Sequence, residues 1–260
     1  MSWVISLGYP LVVFIYGAVI GSFLNVVILR HIARRPVTGR SACPTCGHVL
    51  GPLDLIPLAS FIGLGGRCRY CDAPIAAQYP LVELASGLLF LGFLVPVPAT
   101  PLSAAQAVGA LILSLLLVVL FVIDLKTFLL PDVFLGLLAG VAVIWRLLPG
   151  NQQSWPVLFL AVAVGSGFLL LLWVLTRGRG IGLGDVKLLI PLGLVAGWPN
   201  VVVLLWLAFM AGGLVGIWLW STGRAGLKTA IPFGPFLAAS AIILLLWPAL
   251  PAHLLGWWFG

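Results

Sequence analysis

The chain has 260 residues, 62% of them hydrophobic and only 7% charged, with a mean hydropathy of +1.23. A soluble domain carries about 25% charged residues, so this composition excludes a water-covered globule. The net charge of +7 would point to nucleic acid in a soluble protein, but its distribution along this chain reads as membrane topology.

Apolar runs predict an all-α polytopic membrane protein with eight transmembrane helices, near 8–29, 81–98, 104–123, 132–149, 156–176, 186–199, 200–221 and 232–250. The first run has no basic residues before it and its positive charges follow it, so it reads as a retained span and not a cleaved signal. The polar segment that follows, Arg30 to Tyr79, is long enough to form a small unit of its own. The expected organisation is therefore a first helix over 1–29, a cysteine-bearing loop over 30–80 and a membrane core over 81–260. External connections such as Pro96 to Ser103 and Pro149 to Ser154 carry the Pro, Gly, Asn and Ser of loops. The sixth run is short and interrupted by Pro191 and Gly193.

The polar loop holds all four cysteines, as Cys43-Pro-Thr-Cys46 and Cys68-Arg-Tyr-Cys71. Two such knuckles approximate a zinc ribbon, each pair gripping one side of a tetrahedral ion. Four thiolates leave no open position, so the expected zinc is structural. Arg67 and Arg69 are expected to favour the thiolates electrostatically. His48 reads as a solvated loop residue, and Asp54 and Asp72 as ordinary loop charges. Reduced cysteines without metal are the alternative.

Of the 13 basic residues, 12 fall in four polar stretches. These are Arg30 to Arg69, Lys126, Arg177 to Lys187, and Arg224 with Lys228. Only Arg146 lies elsewhere. By the positive-inside rule the four stretches face the cytoplasm, which places both termini outside.

The chain has six acids, and four of them, Glu83, Asp124, Asp132 and Asp185, sit at or near the ends of spans. An ionisable group there is costly, and a functional role is its default explanation. Asp124 ends the third run and Asp185 begins the sixth, within Gly182-Leu-Gly184-Asp185. Two carboxylates brought together out of water do not both ionise easily, so one can hold a proton while the other acts as base. Gly182 and Gly184 would let backbone approach a peptide closely and would permit unusual dihedrals. The plain alternative is helix capping, for which Asp132 and Asp185 are both placed. On chemistry alone a two-aspartate hydrolase, a carboxylate-coupled transporter and a non-catalytic scaffold all remain open.

Several strings, in this order, resemble the bacterial type IV prepilin peptidases, a family of membrane aspartyl proteases. They are GSFLNVVILR (Gly21 to Arg30), the paired knuckles, YPLVELASG (Tyr79 to Gly87), IDLKTFLLPD (Ile123 to Asp132), GLGDVKLL (Gly182 to Leu189) and IPFGPFLA (Ile231 to Ala238). The resemblance covers nearly the whole chain. It implies Asp124 and Asp185 as the catalytic pair, with Asp132 as the alternative to Asp124 if the motif is shifted. It further implies an inner-membrane enzyme that removes the leader of prepilin-like substrates at the cytoplasmic face, typically between Gly and Phe. Many members then methylate the new N-terminus with S-adenosylmethionine, an activity associated with the cysteine-bearing loop. No glycine motif of the soluble nucleotide-binding type marks a methyl-donor pocket. Lys187 could orient charge near the pair, and Glu83, Asn25 and Arg30 lie in family-like strings with substrate or packing roles. Gln78 departs from the pattern, which often has Arg before the Tyr. Beyond the bilayer and the substrate, no partner or oligomeric state is legible.

Overall fold

The computed structural model describes residues 2–95, 103–151, 153–224, 226 and 229–259, so Lys228 and residues 96–102 of the predicted Pro96 to Ser103 connection lie outside the described residues. The chain forms two compact units, Met1–Pro98 and Ala99–Gly260. The first contains α1 (Ser2–Ile32), a 3-10 turn at Pro52–Leu55, the short α2 (Ala59–Gly63) and α3 (Gln78–Leu94). The second contains α4 (Ala104–Thr127), α5 (Asp132–Leu147), α6 (Trp155–Thr176), α7 (Leu183–Ala196), α8 (Asn200–Ser221), α9 (Gly234–Leu246) and α10 (Leu250–Phe259).

Four helices among the described residues are long and apolar enough to cross a membrane: Gly8–Ile32, Ala104–Thr127, Trp155–Thr176 and Asn200–Ser221. This makes the chain a multi-pass membrane protein and corrects the expected count of eight. The other four runs are also helical, but α3, α5, α7 and α9 have only 17, 16, 14 and 13 residues. At 1.5 Å per residue the shortest reaches about 20 Å, against a hydrocarbon core of roughly 30 Å. Local chemistry ends them early. α5 starts behind Pro131 and stops at Leu148, held extended before Pro149. α7 runs from Gly182 to Gly197, whose φ of +71° ends the helix.

In the first unit glycines bring α1 and α3 close together. A Cβ on Gly17 would lie 2.8 Å from the Gly87 Cα, and one on Gly21 would lie 2.8 Å from the Glu83 Cα. Small residues one turn apart allow this backbone approach, the usual device where lipid supplies no hydrophobic drive. Buried Asn25 braces the start of α3: its Nδ2 donates to Tyr79 O at 3.1 Å, and Gln78 Nε2 donates to Asn25 Oδ1 at 3.1 Å. Gln78 is thus well used where the family pattern differs. Arg30, at the end of α1, donates to the carbonyls of Pro36, Thr38, Gly39 and Arg40, fixing the first turn of the loop.

In the second unit α4 is the central helix, with 61% of its apolar window buried against 22% for α6 and 28% for α8. Its start is fixed by a capping box, Ser103 Oγ accepting from Gln106 N while Gln106 Oε1 accepts from Ser103 N. α4 packs on α9 and α5, while α7 packs on α6, α5 and α9. The isolated Arg146 has a clear role here. Its Nε and Nη2 donate to Leu194 O and Val195 O, each at 2.7 Å, satisfying carbonyls at the end of α7.

Candidate active site

Asp124 lies near the C-terminal end of α4 and Asp185 in the first turn of α7; they are 5% and 6% exposed. α9 brings its first residue, Gly234, against both. A Cβ placed on Gly234 would lie 2.5 Å from Asp124 Oδ2 and 3.3 Å from Asp185 Oδ1. The two carboxylates therefore lie against the same glycine, where one added methyl group would meet an oxygen of each.

Their surroundings differ. Asp185 is not the N-cap that the capping alternative expects, because Gly182 holds that position; from the first turn its Oδ2 accepts the Gly182 amide at 3.1 Å, the return half of a capping box. Its Oδ1 is the oxygen turned to Gly234. Asp124 caps nothing. The Gly234 amide approaches its carboxylate, yet Asp124 Oδ2 is buried with no hydrogen-bond partner among the described residues. The ion pairs found among the described residues, Arg69–Asp54 and Lys187–Asp132, do not involve either aspartate of the pair.

Other expected site residues fall elsewhere. Asp132 is not an N-cap, because Pro131 holds that position and Asp132 is the first helical residue. Its carboxylate is 75% exposed and accepts from Lys187 Nζ at 2.7 Å, so the Lys187 ammonium is engaged by Asp132 and not by the pair. Gly182 and Gly184 have no left-handed backbone, contrary to the expected unusual dihedrals. Gly184 instead allows close packing, since a Cβ there would lie 3.2 Å from Leu130 Cβ. Glu83 belongs to the first unit, where its buried Oε2 accepts the Leu58 amide at 2.8 Å. Gly234 stands in the string IPFGPFLA, and nothing in sequence links it to a residue 110 positions earlier.

In the first unit the four cysteines converge, their Sγ atoms all within 4.8 Å of one another, a set that could hold a metal ion. Cys43 and Cys68 are buried, Cys46 and Cys71 exposed. The two knuckles repeat one geometry: Cys43 N donates to His48 O and Gly47 N to Cys43 O, as Cys68 N donates to Ala73 O and Asp72 N to Cys68 O. Gly47 and Asp72 hold the matching left-handed position, with φ of +71° and +55°. The backbone amides of Cys46 and Thr45 hold the Cys43 thiol down, to about 6, a task expected of the arginines. Arg69 is occupied with Asp54, whose carboxylate also accepts Gly51 N and Tyr70 Oη. Asp54 is therefore a hub of the loop and not an ordinary loop charge, and Arg69 beside it lowers its pKa. His48 stacks on Tyr70 at 3.6 Å and is outside the ligand set.

Two buried carboxylates meeting at one glycine, within a unit of apolar helices, define a multi-pass membrane protein equipped for general acid–base chemistry. The comparisons name the family. Residues 15–97 match the bacterial peptidase A24 N-terminal domain, and residues 111–217 match the type IV leader peptidase family. The chain is 41% identical to a prepilin leader peptidase/N-methyltransferase of Burkholderia pseudomallei strain 1026b, over 86% of this chain and 81% of that one. It is 38% identical to the protein of the same description from Aeromonas hydrophila, covering 92% and 91% of the two chains. For the Pseudomonas aeruginosa counterpart the identity is 34%, over 93% and 91%. No solved structure matches. The chain belongs to the type IV leader peptidase family.

Proposed function

We propose that the protein cleaves the leader from prepilin-like substrates at the cytoplasmic face of the inner membrane, with Asp124 and Asp185 as its catalytic pair. The observation that carries this is the meeting of two buried aspartates, from α4 and α7, beside Gly234. An unpartnered buried acceptor such as Asp124 Oδ2 costs about 1–3 kcal/mol, and a catalytic role accounts for that cost.

In the reaction one carboxylate takes a proton from water as the water oxygen attacks the scissile carbonyl carbon. The other gives its proton to the carbonyl oxygen, producing a tetrahedral intermediate with no covalent acyl-enzyme. Collapse breaks the C–N bond: the carboxyl that took the proton from water gives it to the leaving amine, and the other carboxylate takes a proton back from a hydroxyl of the intermediate. Asp185 is fixed for this work by the Gly182 amide, which holds one oxygen and leaves the other toward Asp124.

The cysteine cluster is a structural zinc site in this reading. A tetrahedral zinc with bonds of about 2.3 Å needs its sulfurs roughly 3.8 Å apart. Cys43 Sγ and Cys71 Sγ are 3.9 Å apart, and the backbone amides at Thr45 and Cys46 favour the Cys43 thiolate. Methylation of the freed amine follows cleavage, with S-adenosylmethionine as donor; the relatives carry that activity in their description.

Co-expression with a prepilin-like protein, followed by mass spectrometry of its N-terminus, tests the whole reading. Loss of the leader together with one added methyl group is expected. An intact leader in the presence of the folded protein would reject the assignment.

A further inference from the structure

We infer that Gly234 is part of the active site: it forms the wall between the two carboxylates, and the lack of a side chain there keeps the reacting gap open. The inference rests on Asp124 and Asp185 being the catalytic pair.

Among the described glycines, Gly234 is the one whose added carbon would meet both aspartates. Others have different explanations. Gly165 and Gly193 allow apolar helix packing, with a Cβ meeting Val201 and Leu189 in one case and Val162 in the other, whereas Gly136 and Gly140 have nothing within 4 Å. Gly234 has no positive φ, so alanine would suit its backbone, and the restriction comes from what the Cβ would strike. A carbon 2.5 Å from a carboxylate oxygen forces one of them to move.

α9 has little room to be the one that moves. Gly234, Pro235, Leu237 and Ala238 are all buried, and Phe236 N and Leu237 N are bonded back to Phe233 O. The Phe233 ring lies 4.8 Å from Phe209 of α8, which fixes the residue just before Gly234. Asp185 is held by its capping bond to Gly182. Asp124, with an unpartnered oxygen, is left to shift, and a methyl group would also occupy the space where water and the scissile carbonyl must meet. Gly234 is thus a positioning residue that acts through Asp124.

The test compares purified Gly234→Ala and Gly136→Ala with the parent on a prepilin-like substrate, measuring kcat, KM and thermal unfolding. Misplacing a reacting group by about 1 Å costs on the order of 100-fold, so kcat of Gly234→Ala should fall by about that factor while KM stays within about threefold. Gly136→Ala should match the parent. A kcat loss below about tenfold, or an equal loss in Gly136→Ala, overturns the inference. If Gly234→Ala does not fold, the same change is made in Asp124→Ala, where the 2.5 Å contact is gone and only the 3.3 Å approach to Asp185 Oδ1 remains. Recovery of a folded protein supports the geometry, and failure to recover it overturns it. Aspartate variants that still cleave would reject the pair itself, whereas inactive aspartate variants beside a fully active Gly234→Ala reject only the role of Gly234.

Discussion

Glu83 in the first unit and Asp124 in the second are similarly buried, at 7% and 5% exposed, but their oxygens meet different surroundings. Glu83 Oε2 accepts the Leu58 amide and so fixes the start of α2, where Leu58 takes a φ of +60°. Asp54, also in the first unit, accepts from Gly51, Arg69 and Tyr70. Asp124 Oδ2 has no such donor. An acid answered by donors belongs to the scaffold, and its removal should be felt as stability. A buried carboxylate oxygen left without a donor costs stability, and the proposed catalytic role would account for keeping it. Asp185 stands between the two cases, one oxygen capping α7 and the other facing the gap.

That division of labour in Asp185 gives the largest expected effect. Asp185→Asn and Asp185→Ala should both lose cleavage by about 10³-fold, within the range for removing a general acid or base. They should differ in stability. Asparagine can still accept the Gly182 amide, whereas alanine forfeits the cap, worth about 1 kcal/mol. Identical melting of the two variants would break the assignment of one task to each oxygen.

The cysteine unit offers a smaller test. Cys43→Ser should drop bound zinc from one equivalent toward none, read by elemental mass spectrometry, and expose the loop to protease. Cleavage should persist, reduced by no more than about tenfold, if the metal supports the loop alone. Complete loss of cleavage with zinc retained would contradict the separation of the two regions.

The smallest effect is expected at Asp132, the alternative to Asp124 in the motif. Its pair with Lys187 is exposed, and such pairs contribute about 0–1 kcal/mol. Asp132→Asn should therefore leave stability nearly unchanged and cleavage within about threefold, since the ion pair is not turned to the gap. An inactive, folded Asp132→Asn would move the catalytic carboxylate to the start of α5.

How far sequence reached depended on whether a feature was local. The long spans α4, α6 and α8 follow from uninterrupted apolar runs, and the metal-type cluster follows from two C-x2-C knuckles at a fixed spacing. The count of eight spans includes four shorter helices, and for α5 and α7 the apolar run does not reveal that the helix stops at Leu148, before Pro149, and at Gly197. Asp124 and Asp185 were singled out by cost and motif, but the role of Arg146 at the end of α7 was not legible, since its acceptors lie 48 and 49 residues away. Asp54 was misread for a similar reason: its partners Arg69 and Tyr70 come from the second knuckle, 15 and 16 residues on. Gly234 is the furthest case, meaningful only once α9 is laid against α4 and α7.

The most direct test of the catalytic pair is the purified Asp124→Asn variant, assayed together for prepilin cleavage and thermal unfolding. Cleavage should fall to background while the unfolding temperature changes little, because asparagine keeps an oxygen for the Gly234 amide and removes the buried charge beside the unpartnered Oδ2. Cleavage at the parent's rate by the folded variant would contradict the account.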